Sequence, residues 1–543
     1  MTQKLLMTVI AAASLAACGG GGDVAPAQVG ATPSATTISG TAAVGAALAG
    51  ATVDVKCATG SGSATTGADG SFSVSIDNAV RPCVLAVTSP AGATLHSIVE
   101  AGSGATAVAN ITPLSELMVA ALAQGDTAAF FTNFDAAAQA TLTPEGVTGA
   151  REQMTLALTG IVDLSGVDPI QDPLVAASGS SPGNGLDQTL DALGAKLAQA
   201  QVTLADVVAA VVANPGSPAP VKTMLQPAAA GCASLKSGTY RALDLLAGDA
   251  GDNWKIQIDA TALTVAYPDG TSEVLVDQGG CHFTLVSDEP ASIYVSKSGV
   301  SVVRDGADTV PAAPVLVLPE QTIALSELAG TWNGMSHERG DPGEPTIPLA
   351  LTFAFDANGK LTAGADCDDF ETCAPWDNAA AAITVHPDGG FNYTDSNGSA
   401  RMFAFKSADG HLTLYLVGHY GFYIAARPQP QALPAVASTR STWDFNVNGA
   451  GTMGAATAGS TQTTAVDAVA KTFTRYRAVE NRVDTWAVDQ PRQGLSKRAA
   501  NSSTVDGVAQ MHGPAYAMTL PGVGVSVVGL PASNMFSFSV VRP

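Results

Sequence analysis

The sequence predicts a mainly β protein of several domains that contains one small bundle of α-helices. Its 543 residues are more than a single hydrophobic core usually organises. Apolar and polar residues alternate over most of the chain between turn signals such as Asp-Gly, whereas helical periodicity is confined to the stretch from about 111 to 214. We divide the chain into seven segments, with boundaries at 1–17, 18–36, 37–110, 111–228, 229–325, 326–430 and 431–543.

The net charge excludes one class of partner. Asp and Glu together number 47 against 25 Lys and Arg, so the formal net charge is -22. Nucleic acids and anionic membrane surfaces attract basic proteins and repel a chain of this charge. We therefore expect no nucleic-acid partner, and we also expect neither a cofactor nor a metal.

The N-terminal segment has the features of an export signal. Lys4 precedes an apolar run at 5–15, which is too short to span a bilayer and matches the hydrophobic region of a signal peptide. The sequence Leu-Ala-Ala-Cys at 15–18 resembles the lipobox of bacterial lipoproteins. This resemblance implies cleavage before Cys18 and acylation of that cysteine, and Gly19 after it implies the outer rather than the inner membrane.

A lipidated Cys18 makes the remaining chain a tethered protein. Two or three acyl chains anchor a protein stably, whereas one chain binds only marginally. Residues 18–36 are rich in Gly, Ala, Pro and Thr and predict a flexible tether, and no later apolar stretch reaches 18 residues. We therefore expect an outer-membrane location, a membrane contact through the N-terminal lipid, and a body that faces the periplasm or the cell surface.

The six cysteines after Cys18 form an even set, as an oxidising compartment favours. They lie as neighbours in three separate segments of the chain. None of these neighbours has the C-x-x-C spacing of a redox motif, and none has a histidine at zinc-finger distance. We expect three structural disulfides, which are Cys57–Cys83, Cys232–Cys281 and Cys367–Cys373.

Residues 37–110 alternate apolar and polar positions between Gly-rich turns, which is typical of a β-sandwich. The strand Gly-Ala-Thr-Val at 50–53 and the hairpin Asp-Gly-Ser-Phe at 69–72 resemble the carboxypeptidase regulatory-like domain. The resemblance implies a transthyretin-like sandwich that acts as a stalk or support and has no peptidase activity. A Cys57–Cys83 disulfide departs from the pattern of that family.

Helical start signals begin directly after this segment. Thr112 is a good N-cap and is followed by Pro113, after which apolar residues recur at helical spacing. Similar signals at 143–145 and 203–206 and a leucine stripe from 186 to 197 predict further helices. We expect the apolar stripes to form the core of a small helical bundle. The order of sandwich and helices resembles a group of proteobacterial lipoproteins whose members mostly have no assigned function.

The C-terminal segments predict tandem antiparallel β units. Three related tripeptides open them, Gly-Thr-Tyr at 238–240, Gly-Thr-Trp at 330–332 and Ser-Thr-Trp at 441–443. Asp-Gly and Asn-Gly turns between apolar stretches predict hairpins in this part of the chain. The residues at 328–332 resemble the opening strand of lipocalin-like barrels, in which the aromatic residue closes one end. We therefore expect each unit to be a barrel or a sandwich.

The most aromatic stretch of the chain is our candidate ligand site. It contributes four residues, which are Tyr415, His419, Tyr420 and Tyr423. Such an aromatic edge stacks against a carbohydrate or a peptide, although an ordinary barrel core explains the same residues equally well. Alternation turns the leucines between 412 and 416 inward and Tyr415 to the other face. We predict a non-catalytic cell-envelope lipoprotein that binds a ligand such as a glycan, or an envelope protein, through its C-terminal β units.

Two other functions remain open. Four carboxylates crowd the loop at 366–371, and with His337 or His419 they would suit an envelope hydrolase. They are Asp366, Asp368, Asp369 and Glu371. The other alternative is a purely structural spacer within an envelope complex. In the last segment, we expect the arginines at 475, 477 and 482 to contact acidic residues of the same chain rather than an anionic glycan.

Overall fold

The computed structural model describes residues 35–90, 92–177, 182–245, 253–286, 291–306, 312–339, 344–376, 381–396 and 398–542. Cys18, the predicted signal peptide and the tether up to residue 34 lie outside these residues. Strands dominate the described part, which confirms a mainly β multidomain protein. No single helix within it has the length and hydropathy of a membrane span. The helices Gly185–Ala200 and Leu204–Ala213 have this length and hydropathy only when they are taken together, and they are bent by 89° relative to each other.

The first seven strands form two sheets with a common core. They are β1 (Ala35–Thr41), β2 (Thr52–Thr59), β3 (Ser61–Thr65), β4 (Ser71–Asp77), β5 (Val80–Thr88), β6 (Thr94–Val99) and β7 (Thr106–Val108). One sheet has the order β4-β1-β7 and the other the order β3-β2-β5-β6. Alternation in β4 turns Phe72, Val74 and Ile76 into the core. Cys57 and Cys83 are paired across β2 and β5 and form the predicted disulfide.

Seven helices follow and extend the same core. They are α1 (Pro113–Ala123), α2 (Thr127–Thr132), α3 (Ala136–Thr141), α4 (Pro144–Leu158), α5 (Gly185–Ala200), α6 (Leu204–Ala213) and α7 (Ala219–Met224). Thr112 caps α1 as predicted, because its side chain accepts a hydrogen bond from the backbone N–H of Ser115. α1 packs against β6, α4 and α6, and is buried on nearly all sides. Its Glu116 pairs with Nδ1 of His96 in β6 at 2.9 Å, so a buried polar contact joins helix and sheet.

A closed antiparallel barrel of eight strands follows the helices, and we call it the first barrel. The pair β8 (Ala228–Ala229) and β9 (Cys232–Lys236) leads into it. The barrel strands are β10 (Gly238–Asp244), β11 (Asn253–Asp259), β12 (Thr264–Ala266), β13 (Ser272–Gly279), β14 (His282–Leu285), β15 (Ala291–Val295), β16 (Ser301–Asp305) and β17 (Ala313–Pro319). The predicted Cys232–Cys281 disulfide joins β9 to the turn between β13 and β14.

The next nine strands form the second barrel, which is incompletely closed. After the 3-10 helix Leu325–Leu328, they are β18 (Gly330–Arg339), β19 (Thr346–Phe355), β20 (Leu361–Cys367), β21 (Ala374–Pro375), β22 (Ala382–Val385), β23 (Phe391–Asp395), β24 (Gly398–Lys406), β25 (Leu412–Gly418) and β26 (Gly421–Ala426). The sheet runs from β21 through β18 and β26 to β22, and its two ends meet through two backbone hydrogen bonds, from the N–H of Leu361 to the carbonyl of Ala381 at 3.0 Å and from the N–H of Ile383 to the carbonyl of Gly359 at 2.7 Å. Trp332 is fully buried at this end, and Cys367–Cys373, the third predicted disulfide, lies at the other end of β20.

The last strands form the third barrel. They are β27 (Thr439–Val447), β28 (Thr457–Asp467), β29 (Thr472–Arg477), β30 (Arg482–Val488), β31 (Leu495–Arg498), β32 (Ser503–Val505), β33 (Val508–Ala509), β34 (Ala515–Leu520), β35 (Val525–Leu530) and β36 (Met535–Val541), with the 3-10 helix Pro531–Ser533 before the last. The pairing of β29 with β30 joins eight of them into a ring, and β32 and β33 extend from β30 as a hairpin.

The arginines of the third barrel contact acidic residues of the same chain, as predicted. Arg475 pairs with the fully buried Asp484 at 2.7 Å, and Arg482 pairs with the same carboxylate at 3.2 Å. Arg477 pairs with Asp444 at 3.1 Å. These contacts neutralise the cluster within the barrel.

The three barrels share one hydrophobic core, which lies outside the barrel interiors. Each barrel contributes side chains that are at most 4% exposed. Examples are Leu243 and Tyr294 of the first barrel, Met335 and Phe422 of the second, and Phe445 and Phe536 of the third. The C-terminal β units therefore pack as one body.

A buried arginine joins the first barrel to the second. Arg241 of β10 is 1% exposed, and its guanidinium pairs with Glu320 at 3.1 Å and with Asp388 at 2.9 Å. Glu320 follows β17, whereas Asp388 lies in the turn between β22 and β23 of the second barrel. Hydrogen bonds from Lys255 and Arg241 lower the pKa of Asp388 to about 2, so this carboxylate stays ionised in mildly acidic solution.

We expect Arg241→Met to lower the free energy of unfolding by about 2 kcal/mol, because it leaves charge-assisted hydrogen bonds unmade at a buried position. Lys255→Met is the matched control, since its ammonium pairs with the same Asp388 at 2.9 Å but is 40% exposed. Lys255→Met should lower the free energy of unfolding by less than about 1 kcal/mol. Urea unfolding followed by tryptophan fluorescence measures both, and equal losses would contradict a special role for the buried arginine.

Candidate functional site

The interior of the second barrel is a cavity of about 790 Å³. Because side chains alternate along a strand, every second residue of these strands points into it. The end closed by Trp332 forms an apolar floor. This floor is lined by Leu351, Phe353, Phe355, Leu361, Met402, Leu414 and Leu416. The predicted inward orientation of the leucines in β25 is confirmed at Leu414 and Leu416.

The cavity also has a polar and aromatic wall, which begins directly beside the floor, because Trp376 and Tyr393 pack against the same apolar cluster as Trp332. Its residues come from β18, β20, β23 and β26 and from the segments beside them, and they are Glu338, Asp366, Trp376, Tyr393, Asp395 and Tyr423. The hydroxyl of Ser336 donates to Oε1 of Glu338 at 2.6 Å, and the Tyr423 hydroxyl donates to the same carboxyl. The indole N–H of Trp376 donates to Asp366. The wall therefore contains two hydrogen-bonded groups, one around Glu338 and one around Asp366.

The environment of this wall disfavours negative charge on Glu338 and Asp366. Burial raises the pKa of Glu338 to about 7, and the neighbouring Asp366 and Asp368 add to the effect, against the opposing hydrogen bond from Ser336. Burial also raises the pKa of Asp366. The pKa of the Tyr423 phenol lies well above its usual value because of burial and the nearby Glu338. His419 is the one basic side chain among the described residues that line the cavity.

The structure divides the four predicted ligand-site residues into two groups. Tyr423, His419 and Tyr420 line the cavity, with Tyr420 50% exposed at the rim and its ring 5.0 Å from that of His419. Tyr415 does not line it, because β25 turns this side chain outward into the core shared by the barrels. There it is 2% exposed and its hydroxyl lies 3.2 Å from that of Thr413.

The carboxylates considered for a hydrolase do not converge. Asp366 lines the cavity, whereas Asp368 is exposed. Asp369 is exposed and caps its own loop by accepting from the backbone N–H groups of residues 371 and 372. Glu371 turns to the third barrel, where it pairs with Lys497 and accepts from the Tyr516 hydroxyl at 2.7 Å.

His337 also lies away from the cavity. It is 1% exposed between the second and third barrels, and its ring centroid lies 5.9 Å from those of Phe422 and Phe536. Burial there lowers the pKa of His337 to about 4, so the imidazole is neutral at pH 7. Of the residues proposed for hydrolysis, the structure therefore brings only Asp366 and His419 to one cavity.

Sequence reasoning missed Glu338, Trp376, Tyr393 and Asp395. A signal for Glu338 was present, because 332, 334, 336 and 338 share one face of β18 and Trp332 marks that face as inward. Trp376 gave no such signal, since it follows a two-residue strand. Its indole lies against Gly364, where a Cβ atom would come within 1.9 Å of the ring.

Within the described residues, no group of three or more His, Cys, Asp or Glu is arranged to hold a metal ion.

Comparisons with known proteins do not place the chain in a family. No protein-family model matches it, and no curated protein matches it. Among solved structures it is similar to the isotype 1 transferrin binding protein B from serogroup B Neisseria meningitidis, at 9% sequence identity over 57% of this chain and 77% of that chain, with a TM-score of 0.18. A similarity this weak supports no statement about fold or function, so the function has to be inferred from the cavity itself.

Tyr423→Phe should raise the pKa of Glu338 further above 7, because it removes a hydrogen bond that the ionised carboxylate accepts. Tyr420→Phe is the matched control at the rim of the same cavity, and it should leave this pKa unchanged. Carbon-13 NMR titration of the glutamate carboxyl carbons measures both. A lower pKa in Tyr423→Phe would contradict the hydrogen bond described here.

Proposed function

We propose that this protein is a non-catalytic lipoprotein of the cell envelope that binds a small organic cation with an apolar body inside the second barrel. The observation that carries the proposal is the division of one cavity of about 790 Å³ into an apolar floor and an acidic, aromatic wall. Its anchoring through Cys18 at the outer membrane is the part of the proposal that derives from the sequence alone.

The wall favours a positively charged group. Three carboxyls line it, Glu338, Asp366 and Asp395, and the described lining contains neither Lys nor Arg. An ammonium in the cavity would donate hydrogen bonds to these carboxyls and stabilise their ionised forms. The aromatic faces of Trp376 and Tyr423 would attract the same charge. A carboxylate or phosphate ligand would instead add negative charge to a wall that already disfavours it.

The floor favours an apolar body. Seven apolar side chains line it, and they offer no partner for a ligand hydroxyl. A sugar that entered to this depth would leave buried hydroxyl groups without hydrogen bonds, which is costly. Glycan binding is favoured only at the rim, where the half-exposed Tyr420 lies beside His419. We therefore do not propose a glycan as the ligand of this cavity.

An envelope hydrolase is the second candidate, and one observation favours it. The pKa of Glu338 near 7 suits general acid–base catalysis, and Asp366 and His419 line the same cavity. A hydrolase would convert a bound ester or glycoside, whereas a binding protein would return it unchanged. Chromatography of the ligand after incubation with the protein separates these two functions.

Binding of three ligands that share one phenyl body tests the proposed charge preference. Phenethylammonium should bind at least tenfold more tightly than 2-phenylethanol, and phenylacetate should bind least, as measured by calorimetry with the full chain. Asp366→Asn should reduce the preference for the cation, because it removes a carboxylate from the wall. The control Asp369→Asn changes an exposed residue of the loop that follows the same strand and should have no effect. Binding of none of the three would favour the structural spacer, and tighter binding of phenylacetate would overturn the proposal.

The affinity for phenethylammonium should rise as the pH increases from about 6 to about 8. The folded pKa of Glu338 is raised to about 7, so its carboxyl gains negative charge over this interval while the amine stays protonated. The groups that face it are Ser336, Tyr423, Asp366 and Asp368. Glu338→Gln should flatten this profile. A profile that survives unchanged in Glu338→Gln would assign the pH dependence to another group.

A further inference from the structure

We propose that the interior of the first barrel is a second ligand site, which takes an aliphatic chain with an uncharged or cationic hydrogen-bond-donating end. This inference goes beyond the proposed function, because it concerns another cavity and another class of ligand. The cavity has a volume of about 530 Å³ and lies inside a barrel whose eight strands close completely. Protein interiors seldom leave voids larger than a water molecule, so a space of this size needs an explanation.

The unfilled space results from the size of the inward side chains. Trp254, Tyr267 and Phe283 are the aromatic side chains that line the cavity, whereas most inward positions are occupied by alanine, valine and isoleucine. These smaller residues are Ala242, Ile256, Ile258, Val265, Ala291, Val303, Val315 and Val317. An eight-stranded barrel either fills its interior with side chains or holds one small molecule. Side chains this small leave room for a narrow, apolar occupant.

One end of the cavity is closed by the segment that precedes the barrel. Leu235 of β9 lines the cavity, and the Cys232–Cys281 disulfide fixes this segment to the barrel. The hydroxyl of Tyr240 accepts from the backbone N–H of Lys236 at 3.1 Å and donates to its carbonyl at 2.9 Å. Ser301 also lines the cavity near this end, and its hydroxyl donates to the carbonyl of Gly299 at 3.2 Å, so a ligand there meets mainly apolar surface.

The opposite end carries the polar groups. The Tyr267 hydroxyl donates to Glu273 at 2.7 Å, and Asp269 and Asp305 also line this end of the cavity. In the second barrel, Glu338 and Asp366 lie within the wall of the cavity. In the first barrel, the carboxyls lie at the end next to the turn between β12 and β13. A chain whose tip reaches the closed end would therefore place its head beside carboxylates. These accept hydrogen bonds from an alcohol or an ammonium and repel a carboxylate.

The alternation in β13 supplies a matched pair of variants. Glu273 and Leu275 point into the cavity, whereas Val274 and Val276 point outward and are 53% and 38% exposed. Leu275→Trp places an indole in the space proposed for the chain. Val276→Trp places the same indole on the outside of the same strand, one residue away. Trp254 lines the cavity and provides an internal fluorescent reporter.

The experiment uses the full chain with decanol below its solubility limit and with decylammonium and decanoate below their micelle concentrations. We expect decanol and decylammonium to bind saturably at one site, with affinity falling roughly fourfold for each methylene removed, and decanoate to bind at least tenfold more weakly. Leu275→Trp should abolish binding, and Val276→Trp should not. Circular dichroism checks folding, and Val303→Phe is the second filling variant should Leu275→Trp misfold.

The outcomes separate this site from the one in the second barrel. Leu275→Trp should leave phenethylammonium binding unchanged, and Asp366→Asn should leave decanol binding unchanged. Equal loss of decanol binding in Leu275→Trp and Val276→Trp would overturn the proposal. It would also be overturned by tighter binding of decanoate, or by displacement of decanol by phenethylammonium in competition.

Discussion

The strands of the second barrel have to bury both of their faces, and the architecture depends on this constraint. In β25, Leu414 and Leu416 face the cavity while Tyr415 and Val417 face the core shared by the three barrels. A side chain therefore belongs either to a ligand cavity or to the packing between barrels, according to whether its position is odd or even. A shift of one residue in strand register would exchange the two sets, so packing and site are specified together.

Charged groups in this body are placed where the barrels meet or where a cavity accommodates them. Arg241 is buried between two barrels, and it is held by carboxylates from both sides of the contact. Glu371, at the end of the loop at 366–371, pairs with Lys497 of the third barrel. A buried charge without such partners is costly, so the contacts of Arg241 restrict how the first two barrels can be arranged.

The two barrel interiors differ in where their polar groups lie. Glu338 and Asp366 line the wall of the second cavity, whereas Glu273 and Asp305 lie at one end of an otherwise apolar first cavity. The first arrangement suits a compact ligand with a charge within the cavity, and the second suits a chain with a polar end. The sandwich and helices form a separate core.

Local features followed from the sequence alone, because they depend on neighbours along the chain. These include the cap of α1 at Thr112, the outward turn of Tyr415, and disulfides between cysteines of one segment. The set of residues that forms the candidate site could be recognised only from the tertiary structure. Glu338, Asp366 and Tyr423 meet only because β18, β20 and β26 surround one space, and strand pairing over such distances leaves no local signal. His337 differs, since alternation along β18 already turns it to the outer face, and only its burial against the third barrel depends on the tertiary structure.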